Sequence, residues 1–129
     1  MDVAQLRLDI AELLKPIDIL RVYAFIPGSF VAPAAVIYPE GFIYHDTYDG
    51  GQNPKMIVQF LTPAVAAVSM QTQLDGWLST GNDVSAIDAL ETDSRFRCEE
   101  IRNYGVVTTG GPDGPRYYSA ELVVNILSD

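Results

Sequence analysis

The stretch "RYYSAELVVNIL", residues 116–127, alternates in period two. Tyr118, Ala120, Leu122, Val124 and Ile126 fall on one side, and Tyr117, Ser119, Glu121 and Asn125 on the other. That spacing predicts a strand with one face in the core. Just before it lies "GGPDGP" (Gly110 to Pro115), a turn in which proline presets φ and glycine supplies positive φ. On the far side of the turn, "RFRCEEIRNYGVVTT" (Arg95 to Thr109) reads as a partner strand with an irregularity at Gly105. Two strands joined by a short turn make an antiparallel hairpin.

Working back from the hairpin, "NDVSAIDALE" predicts a short helix capped by Asn82 or Asp83, with Val84, Ile87 and Leu90 along one side. A longer helix precedes it, "AVAAVSMQTQLDGWLST", ending near Gly81, with Trp77, Leu74 and Leu78 in the core. Thr62 and Pro63 are its expected N-cap and first helical residue. "KMIVQFL" (Lys55 to Leu61) is a strand. Before it come "DILRVYAF" (Asp18 to Phe25), "AAVIY" (Ala34 to Tyr38) and "GFIYHDTY" (Gly41 to Tyr48), three more β-rich runs. The chain opens on an amphipathic helix, with Asp2 as N-cap, Val3, Leu6, Ile10 and Leu13 at helical spacing, and Pro16 as its stop. The order is α-β-β-β-β-α-α-β-β. It predicts a single α+β domain over residues 1–129, with helices packed on one face of a mostly antiparallel sheet.

Composition narrows the function classes. Hydrophobic residues make up 48% of the 129 and charged residues 19%, the balance of a globular chain. No apolar run nears the roughly 20 residues that span a bilayer, so no membrane partner is expected. The N-terminal helix lacks the flanks of a signal peptide, which points to a cytoplasm. Cys98 is the only cysteine, which excludes an internal disulfide and multi-cysteine zinc. Seventeen acidic residues against eight basic ones, a formal net charge of −9, repel free nucleic acid.

Candidate chemistry is sparse. His45, Asp46 and Asp49 make H-D-x-x-D, but neighbours on a strand point to opposite faces, so the solvated end of a strand is preferred to a metal site. Cys98 is expected as a small buried apolar residue, not a nucleophile. Ser29 in "PGSF" lacks the G-x-S-x-G elbow. "TTGGPDG" joins two strands and opens no helix, so it is no phosphate cradle. Asp75 and the Glu99-Glu100 pair face no visible acid or base and are expected as solvated surface or ion-pair partners. No catalytic residue, metal or cofactor is expected, and an interaction role is favoured over an enzyme.

Several segments carry a resemblance: "YAFIPGSFVAPAAVIYP", "DTYDGGQNPKMIVQFLT", "AVAAVSMQTQLDGWLS", "SAIDALE", "YGVVTTGG" and "YYSAELVVNIL". In this order they resemble the tail terminator proteins of long non-contractile-tailed bacteriophages (siphophages), in particular those of actinobacterial hosts. The resemblance covers nearly the whole chain and lies in element order and local flavour, above all the proline-bracketed "APAAVIYP". It implies a structural virion protein, a homohexameric ring at the head-proximal end of the tail, assembled in the host cytoplasm. Such a ring caps the tail tube, stops its polymerisation and forms the joining surface to the head. The implied partners are further copies of the chain, the tail tube protein, and head–tail connector or neck proteins. DNA passes through the lumen without specific binding. Another neck component, a head-completion or connector protein, is the alternative, and a small ligand-binding α+β domain a further one.

On this reading "PAAVIYP" is bare of charge because it is a central strand covered by helices, its ends set by prolines. Tyr44, Tyr48, Asp49, Gly50, Gly51, Gln52, Asn53 and Lys55 form an arm that contacts the next subunit or the tube. Like-charged subunits repel, so Arg95, Arg97 and Arg102, with Lys55, are expected at contacts. Asp46, Asp49, Asp113 and Asp129 are open candidates for the lumen or solvent.

Overall fold

The computed structural model describes residues 3–17, 20–40, 55–64, 67–108 and 114–127. They fold as α1 (Val3–Leu14), β1 (Arg21–Tyr23), β2 (Ala34–Glu40), β3 (Lys55–Pro63), α2 (Ala67–Leu78), α3 (Ala86–Glu91), β4 (Phe96–Thr108) and β5 (Arg116–Ile126). This is the α+β order read from the sequence. The strand expected over Gly41 to Tyr48 and the N-cap Asp2 lie outside the described residues.

The five strands form one mixed sheet in the order β1-β2-β3-β5-β4. β1 runs parallel to β2, and every other pair is antiparallel. The centre is β3, buried along most of its length, and β2 lies one place out, a correction to its expected central position. Nor does Pro39 end β2. It pairs with Met56 inside the strand. Ile37 turns its carbonyl outward to accept from Arg7 Nη2 at 2.9 Å, and β1 pairs only as far as Val36. Pro39 has the same parity as Ile37, so its missing N–H falls on an edge where no ladder bond is lost.

All three helices lie against one face. α1 packs on β1 and β2, α2 on β3 and β5, and α3 on β4. The alternation of β5 puts Ala120, Leu122, Val124 and Ile126 into this core, beside Ala35, Ile37, Met56, Val58 and Phe60 from β2 and β3. α1 contributes Leu6, Ile10, Ala11 and Leu14, and α2 contributes Leu74 and Trp77. Trp77 stacks on Phe60 with centroids 5.6 Å apart. Burial of such side chains at about 25 cal/mol per Å² is the main term holding the two layers together.

Two helix starts differ from expectation. Thr62 and Pro63 do not begin α2. They extend β3 and pair with Tyr118 and Tyr117, so cross-strand pairing overrides a local capping signal. The N-cap of α3 is Ser85, not Asn82 or Asp83: its Oγ accepts from Asp88 N at 3.0 Å. Asn82 instead makes a turn, its Oδ1 accepting from Val84 N. Gly81 has φ 81°, the left-handed region that glycine reaches without a Cβ penalty.

Candidate interaction surface

The sheet face opposite the helices has its own order. The register sets three rows across it: Val36, Gln59, Glu121, Arg102; then Tyr38, Ile57, Val123, Glu100; then Glu40, Lys55, Asn125, Arg97. Arg102 in the first row pairs with Glu40 in the third at 2.6 Å and with Glu121 at 3.1 Å. The Arg102–Glu40 pair crosses the middle row, where Ile57 and Val123 are fully buried. Lys55 reaches over β5 to Glu99 at 3.1 Å. Burial, then the adjacent Glu121 carboxylate, pushes the Tyr38 hydroxyl up to about 12. Its two carboxylate hydrogen bonds hold the Arg102 guanidinium above its ordinary value. These groups brace the face.

Strand β4, an edge strand of 13 residues, is the longest in the sheet. Its pairing with β5 shifts register between Cys98 and Glu100 and again between Arg102 and Gly105. Asn103, in the second irregularity, has φ 55°, and its Nδ2 donates to Glu121 Oε1 at 3.0 Å. Between, within and past these bulges, Ile101, Tyr104 and Val106 are exposed at 42%, 45% and 50%. The Tyr104 hydroxyl donates to Asp75 on α2 at 2.8 Å. Burial and that carboxylate raise it to about 12. Cys98 is half-buried and pushed up to about 12 by burial, then by Glu91 and Asp88. Such a thiol is protonated and unsuited to nucleophilic work.

At the β1 side of the sheet, the segment after β1 exposes Phe25, Ile26 and Val31 at 45%, 68% and 56%. Arg7 ties it to α1. Its Nε donates to Ala24 O at 2.8 Å and its guanidinium stacks 4.7 Å from the Phe25 ring centroid. Val31 N donates to the Tyr23 hydroxyl, and Phe30 packs on Tyr117. Two open depressions of about 520 and 560 Å³ adjoin here and share Val31 and Ala32. Pro33, Pro63 and Pro115 contribute to their walls, and Arg21 and Arg116 line one each.

Of the residues expected at contacts, Tyr44, Tyr48, Asp49, Gly50, Gly51, Gln52 and Asn53 lie outside the described residues, as do His45, Asp46, Asp113 and Asp129. Lys55, Arg95 and Arg102 are engaged within the subunit. Arg95 bridges Asp93 at 2.8 Å and Asp9 at 3.1 Å. Arg97 is exposed, and no ion pair forms on it among the described residues. The exposed apolar groups at 25–31 and 101–106 carried no sequence signal as sites, because exposure of an apolar residue depends on what packs over it. Among the described residues no group of three or more His, Cys, Asp or Glu side chains is placed to hold a metal ion. No helix among them is long and apolar enough to cross a membrane. The chain matches no protein-family model and no curated protein.

Proposed function

We propose that the chain is a structural virion protein, a ring-forming tail terminator that caps the tail tube of a siphophage and forms the surface for joining to the head. The observation that carries this reading is β4: a long edge strand, bulged and studded with exposed apolar side chains, on a braced sheet. Apolar groups on an exposed edge are costly in isolation and favour a protein partner. The resemblance in element order over nearly the whole chain supplies the kind of partner. An acidic subunit suits a channel through which DNA passes without sticking.

Electron microscopy of the purified protein, alone and mixed with siphophage tail tubes, tests the reading. A ring of subunits on one end of each tube, with tube growth stopped, is the expected result. Subunits that stay monomeric in the presence of tubes overturn it. Rings that bind DNA-filled heads but not tubes reassign the chain to the connector side of the neck.

A further inference from the structure

β1 and β2 are neighbours and run parallel, so the connection between them has to carry the chain back along the sheet. Residues 24–33 do this without regular secondary structure. No residue from Arg21 to Pro33 is buried, although Leu20 and Ala34 on either side of them are. Val22 and Ala24 are only partly buried against the core. The ladder of β1 is short, Arg21 to Tyr23 against Ala34 to Val36. Outside it, three hydrogen bonds hold the segment among the described residues. Arg7 Nε donates to Ala24 O at 2.8 Å, Val31 N to the Tyr23 hydroxyl at 3.0 Å, and Arg21 N to Pro33 O at 3.0 Å.

We propose that residues 21–33 are a strap that undocks from the fold as one unit, with Arg7 as its clasp. Arg7 is half-buried on α1 and joins three elements. Besides its bond to Ala24 O, its guanidinium stacks 4.7 Å from the Phe25 ring centroid and its Nη2 donates to Ile37 O of β2 at 2.9 Å. Leu6, Ile10, Ala11 and Leu14 seat α1 in the core without it, so the clasp can be removed and the helix kept. At the far end the Phe30 ring lies 5.2 Å from Tyr117 on β5. Between these two fixings nothing is buried, and a segment with so few buried apolar contacts opens at a lower free energy than the sheet. Undocking takes β1 off β2 and frees the β2 edge from Ala34 to Val36. It also removes Val31 and Ala32, the wall that the two depressions share. The strap thereby decides whether this corner presents two depressions or a bare strand edge, a surface that pairs with an extended chain. The inference does not depend on ring formation.

Residue-resolved amide hydrogen exchange on the whole chain, at several low urea concentrations, tests this. The reporters are the hydrogen-bonded amides of Arg21 and Val31, at the two ends of the strap, compared with those of Val58 on β3 and Val123 on β5. The expected result is one shared opening for Arg21 and Val31, with a smaller urea dependence than the two sheet amides show, because the slope scales with the surface exposed. Arg7 bonds neither reporter amide, yet Arg7→Met should speed exchange at both by at least about tenfold, the loss of a hydrogen bond from a charged group. Phe30→Ala, which frees the other fixing and leaves α1 untouched, repeats the test should Arg7→Met fold poorly by thermal melting. Exchange of Arg21 and Val31 with the urea slope of Val58 and Val123 overturns the proposal, since the segment then opens only when the whole fold does. A variant that speeds one reporter and leaves the other unchanged also overturns it, because the two ends then fray independently.

Discussion

Arg102 Nη2 on β4 lies 2.6 Å from Glu40 Oε1 on β2, across the two strands that separate them in the sheet. The pair runs diagonally from one register row to the next but one, above buried Ile57 and Val123. A third partner, Glu121, holds Arg102 from β5 at 3.1 Å. One guanidinium therefore joins β2, β5 and β4 on the side away from the helices.

Removing that cation leaves two carboxylates facing one another across Ile57. Arg102→Ala should lower the thermal midpoint, and Glu40→Gln in the same background should recover part of the loss. The groups are a third exposed, so water screens the interaction and the effect is modest. A double-mutant cycle by thermal melting checks it. Strict additivity of the two substitutions would show that the bridge is ornamental.

Asp93 should contribute to the acid limb of stability. Hydrogen bonds from the Arg95 side chain and backbone hold its carboxyl below the usual carboxylate range. A depressed folded-state value means stabilisation that is present above the unfolded value of about 4 and lost as pH falls through the lower folded one. Asp93→Asn keeps an acceptor for the backbone but loses the charge. It should be less stable than wild type at neutral pH by at most about 1 kcal/mol, with the gap narrowing as pH falls below the unfolded value. Urea unfolding at several pH values measures this. A gap that does not narrow as pH falls would point to packing instead.

Cys98 should resist thiol reagents. With its thiol near 12, the thiolate fraction at pH 8 is small, and modification should run at least about a hundredfold slower than that of an unperturbed cysteine. Kinetics with a disulfide reagent, native and in denaturant, give the ratio. Rapid labelling of the native protein would refute the assigned environment.

Trp77 is 1% exposed and stacks on Phe60, which is fully buried at the centre of the sheet. Trp77→Ala should cost about 3–5 kcal/mol. A smaller loss in chemical denaturation would mean that α2 collapses to fill the space.

Much of the local structure was legible in short stretches. The period of two in residues 116–127 marks β5 and its buried face, and the apolar run from Lys55 marks β3. Helical spacing finds α1, and the irregularity around Gly105 is visible in its flanking residues. These signals are local because side-chain direction follows backbone period, whatever the chain does elsewhere. Packing decided the rest. Thr62 and Pro63 carry a helix-start signature yet end a strand, because Tyr117 and Tyr118 supply pairing partners more than 50 positions away. Only the folded sheet places β5 between β3 and β4 and brings Arg102 to Glu40. It also leaves Phe25, Ile26 and Val31 after β1, and Ile101, Tyr104 and Val106 on β4, exposed to solvent. Period and capping specify one segment at a time, whereas strand order and exposure depend on which distant segments meet.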